Sequence, residues 1–180
     1  PLDKAYEALD KAFSLDPKGA GNKSYGEKAQ KIHDDIYSEA VNTYLSGDMA
    51  NASKAFEKAA NVSAGKIMNG FDSLAAYNAA LMATIAGDNA RALNLFNLCM
   101  DKGYYNDGLV YSNLAEIYKA TGDTLGSQKV LETGFEKFPN SQAILVGLIN
   151  YYLQSGTEPD KLFDLLHEAQ VNDPKNASLY

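Results

Sequence analysis

The amino-acid sequence predicts an all-α fold in which antiparallel helix pairs stack side by side into a solenoid. Glycines recur at Gly47, Gly87, Gly122 and Gly156, with successive spacings of 40, 35 and 34 residues. The residues on both sides of each glycine repeat in size and polarity at helical intervals. The composition, 46% apolar and 22% charged, supports a packed interior. A period of roughly 34 residues with helical patterning indicates repeated helix–turn–helix units.

Each glycine marks a predicted corner between the two helices of a pair. An aspartate follows the first three, at Asp48, Asp88 and Asp123. Glycine adopts the left-handed conformation that ends a helix, because it has no Cβ to clash. Aspartate caps the next helix by accepting a backbone N–H bond, and its charge suits the helix N-terminus. At the fourth corner Gly156 is kept, and Pro159 lies where a first helical turn accepts proline.

Small and large side chains recur around these corners in one register. Seven residues before each glycine stand Ala40, Ala80, Ala115 and Ile149. Nine residues after the first three stand Phe56, Phe96 and Leu131, and twelve after stand Ala59, Cys99 and Gly134. We expect the small residues to let helices approach closely and the large ones to fill the space between pairs. Cys99 is accordingly interpreted as a buried packing residue rather than a nucleophile.

The register orders the whole chain, which we interpret as a single domain. It predicts a half repeat at 1–17, repeats at about 33–72, 73–107, 108–141 and 142–175, and the start of a further repeat at 176–180. Segments 18–26 and 61–72 are Gly- and Asn-rich and are predicted as surface loops, with a long helix at about 27–46 between them. Because both ends cut through a repeat, we expect a piece of a longer array. Its uncapped ends would expose apolar surface and favour self-association.

The segment LVYSNLAEIYKATGDTLGSQKVLETGFEKFPN, residues 109–140, resembles the tetratricopeptide repeat family and carries that family's proline at Pro139. Pro174 holds the equivalent place after the fourth repeat, and the resemblance covers nearly the whole chain. The sequence departs from the family at Glu39, where apolar or aromatic residues are preferred, and at Tyr104, which stands in place of a proline. The resemblance implies a right-handed superhelix whose concave face is lined by the first helix of each pair.

Positions ten, six and three residues before each glycine lie near one stripe of the first helix, and we take position nine together with them. The resemblance places this helix in the concave groove. We expect this stripe to bind a peptide or protein segment through Tyr37, Tyr44, Tyr77, Asn78, Asn113, Glu116 and Asn150. In this interpretation the asparagines hold an extended peptide backbone, and the tyrosines supply flat surface for its side chains. In the alternative, the asparagines and tyrosines pack and cap locally within each repeat.

Family members that bind chaperones share a cluster of Lys, Asn and Arg that clamps a terminal carboxylate. The matching positions here hold Tyr37, Val41, Asn78, Leu109 and Asn113, of which only Asn78 fits that pattern. The charge-assisted contacts that a carboxylate requires are missing. We therefore expect no binding of chaperone tails of this kind.

The charge balance disfavours nucleic acid as a partner. The net charge is −7 and Arg91 is the sole arginine, whereas phosphate-backbone binding draws on clustered Lys and Arg. Neutral or basic peptides and proteins remain open. No apolar run approaches the roughly 20 residues that a membrane span needs. A single cysteine excludes an internal disulfide and any multi-thiolate metal site.

Two short segments invite a chemical interpretation, and neither supports one. KGAGNKSYG lacks the phosphate-loop pattern, because Asn22 rather than glycine precedes Lys23. His33, Asp34 and Asp35 are adjacent on a helix and do not share a face, so we interpret them as a solvated helix face. The other histidine, His167, lies far along the chain. We predict no catalytic residue, no metal and no cofactor.

The sequence therefore predicts a non-catalytic scaffold that binds a peptide or protein segment in its concave groove. The alternative is a regulatory or sensor segment of a larger protein whose effector domain lies outside this chain. The abundance of Asn and Tyr with scarce Arg favours a bacterial source, and no localisation follows from the pattern. A solenoid constrains the shape of its binding surface and leaves the partner open.

Overall fold

The computed structural model describes residues 2–17, 22–156 and 158–172, except for the side chains at 22, 23, 169 and 172. Over these residues the fold is all-α, as predicted. The helices of the described residues are α1 (Leu2–Leu15), α2 (Asn22–Leu45), α3 (Met49–Ala64), α4 (Ser73–Ile85), α5 (Asn89–Asp101), α6 (Leu109–Ala120), α7 (Thr124–Lys137), α8 (Gln142–Ser155) and α9 (Pro159–Asn172). A short 3-10 turn, Asn106–Gly108, precedes α6. None of these helices is long and apolar enough to cross a membrane.

The helices belong to two compact units, with the boundary between Tyr104 and Tyr105. The first unit contains α1 to α5, and the second contains α6 to α9. Within each unit, helices that follow one another along the chain pack together, α2 on α3 and α4 on α5 in the first, α6 on α7 and α8 on α9 in the second. The predicted helix pairs are therefore present.

The three Gly-Asp corners share one geometry. Gly47, Gly87 and Gly122 have φ angles of +87°, +78° and +85°, in the left-handed region. The N–H of the next residue donates to the carbonyl five residues back, over 3.2, 2.9 and 2.9 Å. Each aspartate side chain then accepts the N–H three residues ahead, over 3.1, 3.1 and 2.8 Å. These bonds satisfy the backbone groups that a helix end leaves without a partner, so the corner prediction is confirmed.

The first unit is packed around alanine. In α4, seven of the 13 residues are buried, and five of those seven are alanines. Because alanine is small, neighbouring helix backbones come close. Phe56 and Phe96 occupy the larger spaces and are 4% and 0% exposed. The hydroxyl of Ser53, also buried, donates to the carbonyl of Ala79 over 2.8 Å.

The second unit has a core of branched aliphatic side chains, and a buried glycine, Gly134, lies within one of its helices. Gly134 lies in α7 against α6 and α8. A Cβ at this position would stand 2.7 Å from the Cβ of Tyr111 and 2.9 Å from Cδ1 of Ile144. The expectation that a small residue permits close helix approach is therefore confirmed. The buried aliphatic residues of this unit include Val110, Leu114, Ile117, Leu131, Ile144, Leu145 and Leu148.

The loop predicted at 18–26 is wrong from residue 22 onward, because α2 begins at Asn22. The ring of Tyr25, in the first turns of α2, packs edge-on against the ring of Phe13 in α1 at 5.8 Å. This tertiary contact outweighs the low helix propensity of Gly26. The rest of the predicted loop, Pro174 and the predicted start of a further repeat lie outside the described residues.

The loop predicted at 61–72 is also too long, because α3 continues to Ala64. Val62 and Ser63 are buried, at 5% and 7% exposed. The Tyr6 hydroxyl in α1 donates to the Val62 carbonyl over 3.3 Å. Gly65 then lies so close to Tyr6 that a Cβ there would overlap the hydroxyl. Packing against α1 thus extends α3 by one turn, into the segment that the Asn- and Gly-rich pattern predicts as a loop.

Candidate functional site

Two tyrosines of the predicted stripe pack against phenylalanine side chains of the core. The ring of Tyr37 meets the ring of Phe56 edge-on at 5.2 Å, and the ring of Tyr77 meets that of Phe96 at 5.8 Å. Tyr77 is only 7% exposed and also contacts the ring of Tyr104 at 5.8 Å. Such edge-to-face pairs stabilise the packing of one helix of a pair on the other. Tyr77 offers no flat exposed ring to a partner, which supports the local-packing interpretation for this residue.

The remaining stripe residues of the first unit are more accessible. Tyr44 is 43% exposed on α2. Asn78, on α4, donates its amide nitrogen to the Tyr37 hydroxyl over 3.2 Å, which joins α2 to α4. The Asn78 carbonyl oxygen has no hydrogen-bond partner among the described residues. The structure therefore brings Tyr37 and Asn78 together and leaves an acceptor beside them.

In the second unit, Glu116 and Asn150 line one cleft and Asn113 is bonded within its own helix. The amide of Asn113 donates to the Leu109 carbonyl over 2.8 Å. Glu116 on α6 and Asn150 on α8 are exposed and border a cleft of about 220 Å³, which we call the α6–α8 cleft. The other residues that line it are Lys119, Thr124, Ser127, Leu131, Gly147, Tyr151, Gln154 and Ser155.

None of the other eight lining residues was among the predicted site residues; the large polar ones among them include Lys119, Tyr151 and Gln154. Lys119 stands three residues before Gly122, as Tyr44 does before Gly47, so the repeat register could have predicted Lys119 as a site residue. Gly147 lies so close to Leu131 that a Cβ would stand 2.9 Å from its Cδ2. The absence of a side chain at 147 lets Leu131 pack directly against the α8 backbone at the floor of the cleft.

The interpretation of His33 as part of a solvated helix face is wrong. His33 is 9% exposed, and its Nε2 lies 2.8 Å from Oδ2 of Asp72, at the N-terminus of α4. Asp72 also caps α4 by accepting the N–H of Ala75 over 2.9 Å. The other ring nitrogen lies 3.0 Å from Oδ1 of Asp34. The hydrogen bond from His33 lowers the pKa of the Asp34 carboxyl below its ordinary value, and a smaller contribution comes from the hydrogen bond with Gln30. His33 thus joins α2 to α4, and no group of three or more possible metal ligands occurs among the described residues.

Cys99 is 0% exposed, as the packing interpretation predicts, and burial raises its pKa from 9.0 to about 11. At about pH 8 the thiolate fraction should therefore be about 100-fold lower than for an ordinary cysteine. We expect Ellman's reagent to label Cys99 at least about 100-fold more slowly in the native chain than in the urea-unfolded chain. Equal labelling rates would show that the thiol is accessible and contradict its burial.

Comparison with known proteins supports the same fold. No protein-family model and no curated protein matches the sequence. A TPR-repeat protein from Bacteroides fragilis matches with a TM-score of 0.60 and 19% identity, over 78% of this chain and 59% of its own. The fold is that of the tetratricopeptide repeat. MamA matches with a TM-score of 0.63 and 15% identity over 98% of this chain and 91% of its own. Cut9, in the APC/C hetero-tetramer Cut9–Hcn1, matches at 0.58 and 14% over 99% of this chain and 38% of its own.

The chain spans 59% of the length of the Bacteroides fragilis protein, which is less than two thirds. At identities of 10% to 19% the likeness establishes the fold. The function of this chain depends on the residues of its own surface.

Proposed function

We propose that this chain is a non-catalytic module that binds a peptide or protein segment along the first helices of its repeats. The observation that carries the proposal is the α6–α8 cleft, which places exposed Glu116 and Asn150 beside an apolar floor at Leu131. Assembly with a protein partner is also what one relative in fold does, since Cut9 occurs together with Hcn1 in a hetero-tetramer.

The α6–α8 cleft has the chemistry that an extended backbone needs. Asn150 and Gln154 are four residues apart on α8, so both amides lie on one face of that helix. A side-chain amide provides a donor and an acceptor, which matches the N–H and C=O groups of a peptide. Glu116 and Lys119 on the opposite helix add one charge of each sign. The cleft therefore suits a polar backbone with a modest apolar side chain over Leu131.

A second contact of the same kind lies in the first unit. The Tyr37 hydroxyl accepts from the amide nitrogen of Asn78, which holds that side chain in one orientation. The Asn78 carbonyl oxygen is then ready to accept a peptide N–H without a further entropic cost of ordering the side chain. Tyr44, which is 43% exposed on the same stripe, offers a ring to a partner side chain.

The proposal is tested with peptides selected on the chain from a random library that excludes Lys and Arg. Without basic residues, selection cannot depend on attraction to the acidic protein. We expect the selected peptides to bind the variant Glu116→Ala/Asn150→Ala at least about tenfold more weakly than the wild type, by fluorescence anisotropy. The reason is that both polar partners of the backbone are lost while the exposed positions leave folding intact.

A matched control removes one glutamate and one asparagine elsewhere. Glu7 and Asn97 are exposed, and neither lines this cleft or the cleft between α7 and α9. Glu7→Ala/Asn97→Ala should retain wild-type affinity within about twofold. Wild-type affinity in Glu116→Ala/Asn150→Ala, or failure to select any peptide, would exclude the α6–α8 cleft as the binding site.

A further inference from the structure

A second cleft in the second unit lies between α7 and α9, with α8 as its base. It has a volume of about 430 Å³, and we call it the α7–α9 cleft. Its apolar residues are Phe135 on α7, Leu148 on α8 and Leu165 on α9. Leu148 and Leu165 are 2% and 8% exposed and form the floor, while Phe135 is half-buried at the side. The cleft is large enough for a ligand side chain and presents an apolar base for it.

Acidic residues border this cleft on both sides. Glu132 and Glu136 stand four residues apart on α7, and Asp164 and Glu168 stand four residues apart on α9. Like charges at this spacing destabilise a helix by a few tenths of a kcal/mol for each pair. Two such pairs face each other across one cleft, which concentrates negative charge there. A basic partner would remove this repulsion.

The cation already present in the cleft leaves most of this charge uncompensated. The ammonium of Lys161 lies 2.6 Å from Glu158, outside the cleft lining, and 3.8 Å from Glu132. Glu132 also accepts hydrogen bonds from the Tyr152 hydroxyl over 2.7 Å and from Gln128 over 3.0 Å. The other three carboxylates enter no ion pair among the described residues; they are Glu136, Asp164 and Glu168.

The arrangement of the carboxylates selects the kind of ligand. No group of three or more possible metal ligands converges within the described residues, so the acidic side chains are spread along the cleft. A spread of carboxylates above an apolar floor complements a chain with several separated cations and an apolar side chain between them. A single metal ion would require the carboxylates to meet at one point.

We propose that the α7–α9 cleft binds a basic segment of a protein partner, in which a large apolar side chain is flanked by Lys or Arg. The apolar side chain lies on Leu148 and Leu165 beside Phe135, and the flanking cations pair with the carboxylates of α7 and α9. The net charge of −7 further favours encounter with a basic segment. This surface is distinct from the α6–α8 cleft and does not depend on it.

The test uses the whole chain and three fluorescein-labelled peptides. GKKAFLAKKG carries both features, GSSAFLASSG lacks the cations, and GKKAGSAKKG lacks the apolar side chains. At about 0.15 M salt we expect the first to bind at least about tenfold more tightly than either of the others, by anisotropy. The variant Glu136→Gln/Asp164→Asn/Glu168→Gln should bind GKKAFLAKKG at least about tenfold more weakly.

The control removes three carboxylates of the same types from other exposed positions. Glu7→Gln/Glu27→Gln/Asp101→Asn changes the net charge equally and should keep the wild-type affinity within about twofold. If both triple variants lost the same affinity for GKKAFLAKKG, the weaker binding would be explained by net charge alone, and the proposal would be overturned. Tight binding of GKKAGSAKKG, or no binding of GKKAFLAKKG at up to about 1 mM, would also overturn it. None of these results bears on Glu116 and Asn150, so this proposal and the proposed function fail separately.

Discussion

Phe96→Ala should lower the free energy of unfolding by about 3–5 kcal/mol. Phe96 is 0% exposed in α5, and its ring meets that of Tyr77 edge-on at 5.8 Å. The substitution removes the buried apolar area and leaves a cavity, because the surrounding helices relax only partially into the space. It also removes an aromatic pair worth about 0.5–1.5 kcal/mol beyond its area.

Urea titration followed by circular dichroism at the helical band measures this loss. The matched control is Phe163→Ala, the same chemical change at a side chain that is 67% exposed on α9. Because Phe163 is largely in water, its removal should change the free energy by no more than about 0.5 kcal/mol. A loss below about 1 kcal/mol for Phe96→Ala would mean that the aromatic position does not fill the space between the helices.

Gly134→Ala should lower the free energy of unfolding by about 1–3 kcal/mol, although alanine is the better helix former. The new Cβ would stand 2.7 Å from the Cβ of Tyr111, an atom fixed directly to the α6 backbone. A side-chain rotation cannot relieve this contact, so α6 and α7 have to move apart. The separation loosens packing along both helices, and that cost exceeds the roughly 1 kcal/mol that alanine gains in propensity.

The matched substitution Gly26→Ala should have the opposite sign. Gly26 is in α2, and a Cβ there would meet nothing within 4 Å. Alanine should therefore stabilise the chain by about 0.5–1 kcal/mol, through helix propensity and a less flexible unfolded state. The two variants are compared by urea titration. A stabilised Gly134→Ala variant would show that the close approach of α6 and α7 is absent.

The corners illustrate what could be predicted from local pattern. All three corners, Gly47-Asp48, Gly87-Asp88 and Gly122-Asp123, consist of a glycine in the left-handed conformation followed by an aspartate whose short side chain accepts a backbone hydrogen bond. The energies that decide such a corner act within about six residues of chain, so its residues carry the information themselves. The same holds for the large and small positions, since Phe56, Phe96, Cys99 and Gly134 are all buried as their register predicts.

The positions of the predicted binding stripe indicated only part of the spatial arrangement of its residues. The offsets put Glu116 and Asn150 at the same position of the repeat, and these two residues line one cleft. The offsets also include Tyr37 and Asn78, which are hydrogen bonded to each other. They did not distinguish a residue that faces solvent from one that turns into the core, such as Tyr77. A tyrosine has an apolar ring and a polar hydroxyl, and which of them is exposed depends on whether a partner such as Phe96 lies across the helix pair.

The helical class and the corner positions could be predicted from the amino-acid pattern, because both depend on interactions between near neighbours in the chain. The tertiary structure alone decided the His33–Asp72 link across 39 residues of separation, the helical start at Asn22 and the two clefts of the second unit. Those features arise where separate helices meet. The energy of such a meeting depends on distances that no local pattern of residues encodes.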